Sequence, residues 1–184
     1  MRPDIGLTAE FECWAHEAGY EITESSSTDA RAVVWNSGGE IRYFFDHHAD
    51  GSVVVTSSER MGEEQFELAS VVPGLVERRF IVRFSRLVRA RRGLPRLSFR
   101  HSAEDIAAGY ILGRQKFWGE ERFTLIDPHG RTLAVVSGGQ LIGTMNVVNL
   151  SIFASTNMDL IVQSLSDPEG KPLFSVRPNE EDHG

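Results

Sequence analysis

Residues 42 to 59 read "RYFFDHHADGSVVVTSSE", Arg42 to Glu59, and two readings of this stretch lead to two different proteins. Taken as ligands, Asp46, His47 and His48 are a carboxylate and two imidazoles, a set that suits manganese or zinc in a metal-dependent phosphoesterase. Taken as backbone, the same residues are a strand, a polar corner ending in Gly51, and a second strand. The second half of the chain decides between them. There "RFTLIDPHGRTLAVVSGG", Arg122 to Gly139, repeats the order: apolar strand, Asp-started turn with Gly, apolar strand, small polar loop. The further aspartates such a metal centre needs are missing upstream, where only Asp4 and Asp29 occur. We therefore read a hairpin corner with Asp46 starting the turn and Gly51 closing it, and expect no metal. Asp46, His47 and His48 are left as loop residues available to a partner.

Outward from this hairpin the chain alternates helices and short strands. Thr8 caps a first helix whose apolar stripe is Phe11, Trp14, Ala15 and Ala18, and Gly19 stops it. Strands follow at Tyr20–Glu24, Ala32–Asn36, Glu40–Phe45 and Ser52–Ser57, separated by turn-forming residues. Glu63–Val72 reads as a short helix, and Pro73 or Gly74 opens a longer one to about Arg92. The second half is expected to run through the same programme. In Ser102–Leu112 a helix with a Ser102–Asp105 capping box stops at Gly109 and leads into a strand, and another helix lies near Gln140–Ala154. "DLIVQSLSDPEGKPLFS", Asp159 to Ser175, reads as a strand, an Asp-Pro-Glu-Gly turn and a strand.

The expected fold is α+β: antiparallel β-meanders with flanking helices in two similar halves, which points to internal duplication. The halves are residues 1–101 and 102–177, and the polar tail, residues 178–184, is expected to be disordered.

Charge is unevenly spread along the chain. Residues 1–72 carry 14 acids and 4 bases, residues 73–101 carry one acid, Glu77, and nine arginines, and residues 102–184 carry 11 acids and 6 bases. A mostly acidic body repels nucleic acid and attracts basic protein surfaces. The basic segment has two readings. Its arginines, interleaved with an amphipathic stripe, form a solvent face that pairs with the acidic body. Alternatively, Arg78–Arg100 contacts phosphates, as in a nucleic-acid-associated regulator.

Chemistry is otherwise sparse. His16 lacks the second histidine of a zinc-protease helix, "SGGQLIG" at 137–143 lacks both dinucleotide-binding spacing and a Walker lysine, and no GxSxG elbow occurs. The single cysteine, Cys13, reads as a small packed residue and allows no internal disulfide. Without an export signal or an apolar run of membrane-spanning length, the expectation is a cytoplasmic protein without cofactor that is not an enzyme.

The order of segments resembles the immunity protein 61 family. The pieces are "WAHEAGYEIT" (14–23), "VVWNSGGEIRYFF" (33–45), "DGSVVVTSSER" (50–60), "EEQFELAS" (63–70), "RRGLPRL" (91–97), "DIAAGY" (105–110), "FTLIDPHGR" (123–131) and "SDPEGKPLFS" (166–175). The resemblance implies a cytosolic antitoxin that binds a secreted NAD-degrading toxin one to one and covers its NAD site. A plug of that kind needs hairpin tips carrying carboxylates and an aromatic anchor. Two stretches qualify: "KFWGEE" with Trp118, Glu120 and Glu121, and "SERMGEEQ" with Glu59, Arg60, Glu63 and Glu64. Trp118 is either an interface anchor or folded back onto the core. Glu63 and Glu64 either meet a partner or favour the start of a helix.

Overall fold

A computed structural model describes residues 7–178. The helices are α1 (Ala9–Glu17), α2 (Pro73–Arg91), α3 (Gln140–Ala154) and α4 (Met158–Ser166). Eight strands form one antiparallel sheet: β1 (Tyr20–Thr23), β2 (Ala32–Asn36), β3 (Ile41–His47), β4 (Val53–Glu59), β5 (Gln65–Ser70), β7 (Ile111–Phe117), β8 (Glu120–Ile126) and β9 (Thr132–Val136). Two-residue strands β6 (Leu97–Ser98) and β10 (Ser175–Val176) pair separately. The large sheet runs β1-β2-β3-β4-β5-β9-β8-β7, so two meanders meet where β5 pairs with β9, Leu68 opposite Val136.

Period-two alternation sorts each strand between two faces. On β4, Val53 and Val55 join Phe11, Phe80, Phe84, Leu150 and Ile161 in the main core, which all four helices cover. Val54 points the other way and clusters with Phe66, Ala69 and Val135 on the helix-free face. Helix α3 approaches the sheet closely at Gly143, where a Cβ would lie 2.2 Å from the Phe123 ring of β8. Only glycine fits there.

The expected α+β fold, antiparallel meanders and flanking helices are all present. Three local expectations are not met. The helix expected over Glu63–Val72 is replaced by strand β5, whose backbone pairs with β4 and β9 and in which a bulge at Glu67 directs Phe66 to one face and Leu68 to the other. The helix expected between Ser102 and Gly109 is only a 3-10 turn, Ala103–Asp105, in which Ser102 Oγ accepts from Glu104 N–H and the Ala107 N–H donates to Ser151 Oγ of α3; the strand expected after it begins at Ile111, opposite Ile126. Asp159–Ser166 is helical: the Asn157 side chain caps Leu160 N–H at 2.8 Å, and Ile161, Ser164 and Leu165 are buried at helical spacing. The Asp-Pro-Glu-Gly turn itself forms, with Asp167 Oδ1 accepting from Glu169 and Lys171 N–H. With a helix in one half matched by a turn in the other, the internal duplication is not confirmed. The expected tail disorder lies outside the described residues from 179 onward.

Candidate partner-binding surface

The hairpin that raised the metal question turns two residues later than the sequence suggests. Asp46 and His47 belong to β3, opposite Val54 and Val53, and the corner is His48–Ser52. His48 N–H donates to Ser52 O at 2.9 Å, Gly51 N–H donates to His48 O at 3.0 Å, and Asp50 Oδ1 accepts from Ser52 N–H. In the second half Asp127 N–H donates to Arg131 O and Gly130 N–H to Asp127 O, both at 2.9 Å. Asp127 thus corresponds to His48, not Asp46. Gly51 and Gly130 have φ of 83° and 82°, the left-handed conformation that closes both turns. Burial pulls the His47 imidazole below its ordinary pKa, and His48 Nε2 lies 3.7 Å from Asp46 Oδ2. Among the described residues no group of three or more ligating side chains could hold a metal.

The other predicted contact residues lie at the opposite end of the sheet. Strand register puts the β4–β5 turn, with Glu59, Arg60, Glu63 and Glu64, and the β7–β8 turn, with Trp118, Glu120 and Glu121, beside the start of α3. Asp46, His47 and His48 are therefore not part of the same surface. Arg60, Met61 and Trp118 adopt positive φ, so both tips are sharp. Elements that end here each carry a large apolar side chain in contact with solvent: Met61 is 74% exposed, Trp118 59%, Leu141 68% and Ile142 48%. Solvent-exposed apolar side chains of this size beside charged ones are candidates for contact with a partner. Met61, Leu141 and Ile142 were missed in the sequence, where Leu141 and Ile142 read as an ordinary apolar helix start.

Trp118 is packed on one side and exposed on the other. Its ring centroid is 5.6 Å from Phe66 and 6.2 Å from the parallel Phe117 ring, yet most of the indole faces solvent. The two ring contacts restrict the orientation of the exposed indole. The nearby carboxylates differ in their freedom. Glu120 pairs with Arg122 and Glu121 with Arg114, each at 3.0 Å. Glu59 and Glu63 are exposed and make no ion pair among the described residues. Neither Glu63 nor Glu64 begins a helix.

Glu64 turns inward across the helix-free face. Its oxygens accept from Arg31 Nη1 and Nη2 at 2.7 Å each and from Thr56 Oγ1 at 2.5 Å, which holds the carboxyl below its ordinary pKa. Arg31 also binds Asp29 and lies 4.5 Å from the centre of the Phe44 ring. Asp29, Arg31, Phe44 and Glu64, together with Trp35 and Arg42, line a cleft of about 580 Å³.

The arginine segment is largely engaged in bonds within the chain, although most of its arginines stay exposed. Arg78, Arg79, Arg83, Arg89, Arg91, Arg92 and Arg100 all bond within the chain. Arg92 forms two 2.6 Å bonds to the Glu17 carboxylate and covers the Trp14 ring. Cys13, expected to be packed, is instead exposed. His16 is exposed, with Nδ1 3.1 Å from Tyr20 O.

Structurally this is an α+β protein with four helices on one face of an antiparallel sheet and an apolar, acid-fringed rim of hairpin tips. The chain belongs to the immunity protein 61 family, whose model matches residues 14–173. It is 34% identical over 177 residues to the immunity factor for TNT of Mycobacterium tuberculosis and to the immunity factor for TNT homolog of Mycobacterium bovis, covering 96% of this chain and 97% of each relative. The solved structure of Rv3902c from M. tuberculosis superposes with a TM-score of 0.84 at 32% identity, over 96% of this chain and 98% of that one. In the described residues no helix is long and apolar enough to cross a membrane.

Proposed function

We propose that this protein is a cytoplasmic antitoxin that binds one copy of a cognate secreted toxin, an NAD-degrading enzyme, and covers its NAD site. It acts by occlusion and has no catalytic activity of its own. The observation that carries this reading is the rim at the tips of β4–β5, β7–β8 and the start of α3, where Met61, Trp118, Leu141 and Ile142 are exposed beside Glu59 and Glu63. The family membership and the names of the curated relatives support the choice of a toxin as partner. A site that holds a dinucleotide pyrophosphate is electropositive, so carboxylates around an aromatic anchor give both faster encounter and selectivity.

The test is NAD consumption by the purified cognate toxin. Equimolar protein abolishes it, and light scattering gives the mass of a one-to-one complex. Undiminished consumption overturns the proposal.

A further inference from the structure

The cleft of about 580 Å³ on the helix-free face reaches the β4–β5 turn, because Glu64 belongs to both. Strand register builds its floor. Trp35 of β2 lies opposite Arg42 of β3, and Val33 lies opposite Phe44, so these four side chains share one face of the sheet. Gly38 and Gly39, with φ of 80° and 65°, turn β2 into β3 at its border, and the loop around Ser27 lines it as well. The Trp35 indole is tied to the edge strand, with Nε1 donating to Thr23 Oγ1 at 3.3 Å.

The two guanidinium groups in the cleft differ in their partners. Arg31 meets two carboxylates, Asp29 at 2.6 Å and Glu64 at 2.7 Å. Arg42 makes no ion pair among the described residues: its Nε donates to Gly39 O at 3.1 Å, and its Nη2 touches Met61 Sδ, a weak acceptor. Its charge is therefore left for an incoming carboxylate, at a half-buried position where such a pair is stronger than in open water. The contact with Met61, 74% exposed at the β4–β5 tip, joins the cleft to the rim of hairpin tips. We propose that the cleft receives a segment of the toxin that carries a carboxylate beside an apolar side chain, with the carboxylate on Arg42 and the apolar group on Trp35. This docking rests on the antitoxin role and extends the contact from the rim onto the helix-free face. An acidic body attracts basic surfaces in general, whereas a carboxylate demanded at one point separates a cognate toxin from other basic proteins.

Surface plasmon resonance with the purified cognate toxin and the full chain tests it on two variants. Arg42→Gln removes the charge and loses about tenfold or more in affinity, as expected for a hydrogen bond to a charged group. Because Arg42 also touches Met61, a second variant leaves that contact intact. Ser27→Trp adds bulk to the cleft from an exposed loop residue whose side chain makes no hydrogen bond among the described residues, so its melting temperature stays that of the native chain while its affinity falls about tenfold or more. A native chain that does not bind the toxin ends the antitoxin role and the cleft's part in it. A native chain that binds, and is weakened by Trp118→Ala, while either Arg42→Gln or Ser27→Trp binds as tightly as the native chain, overturns the cleft and leaves the antitoxin role standing.

Discussion

Arg31 and Glu64, 33 positions apart, face each other across the sheet in a two-bonded ion pair, with Nη1 and Nη2 each 2.7 Å from a carboxylate oxygen. The pair joins the start of β2 to the start of β5 over β3 and β4. Both side chains are partly shielded, so removing the carboxylate by Glu64→Gln is expected to cost about 1 kcal/mol, a drop of a few degrees in melting temperature.

Acid should undo the same pair. Arg31 holds the Glu64 carboxyl below its ordinary pKa, and Arg92 does the same for Glu17. A depressed folded-state pKa gives stability that is present above the unfolded value and is lost as pH falls through the folded one. Thermal melts of the native protein should therefore drop steeply below about pH 4. The Glu64→Gln, Glu17→Gln variant should show a shallower fall, and identical slopes would remove this account.

For the interface, Trp118→Ala is expected to weaken toxin binding by about thirtyfold or more, the size of an anchor residue lost from an interface centre. His48→Ala, at the far end of the sheet, should leave affinity unchanged. Surface plasmon resonance on the two variants separates the ends, and the reverse ranking would move the interface to the His48 corner.

Gly143→Ala places a methyl group 2.2 Å from the Phe123 ring, in the main core. Either α3 shifts off β8 or the ring moves, at a cost of about 1–3 kcal/mol. Denaturant unfolding measures it, and a variant as stable as the native chain would refute the close approach.

Arg89→Met removes the donors to four carbonyls around the α2 and α4 ends. The expected loss is about 3 kcal/mol or more, since those acceptors become buried without partners. Arg89→Lys should not restore it, because an ammonium lacks the planar fork that reaches several acceptors at once. Full stability of the lysine variant would contradict this assignment.

The sequence made some elements plain and hid others for identifiable reasons. Helices α1, α2 and α3 and strands β1 to β4, β8 and β9 were readable because local pattern and burial agree in them. At β5 local pattern misled: Glu63, Glu64 and Glu67 look like a helix start, but strands β4 and β9 claim both backbone edges. Helix α4 was hidden because a short apolar run carries no clear period until Asn157 is recognised as a cap. The turn at His48 was displaced because Asp46 and Asp127 look alike, although only Asp127 occupies the turn. At the candidate surface, Trp118 and the acidic tips were found from turn chemistry. Met61, Leu141 and Ile142 were not, because nothing in their local pattern distinguishes an exposed apolar residue from a buried one.

The seam between β5 and β9 also sets a timetable for synthesis. Leu68 leaves the ribosome 68 residues before its partner Val136, an interval of several seconds at about 5–20 residues per second. During that interval the nascent chain presents β5 with one row of amides and carbonyls unmatched, an invitation to pair with a neighbouring chain. Overexpression faster than the chain can be completed and folded should therefore drive it into aggregates, and slower or cooler expression should recover it.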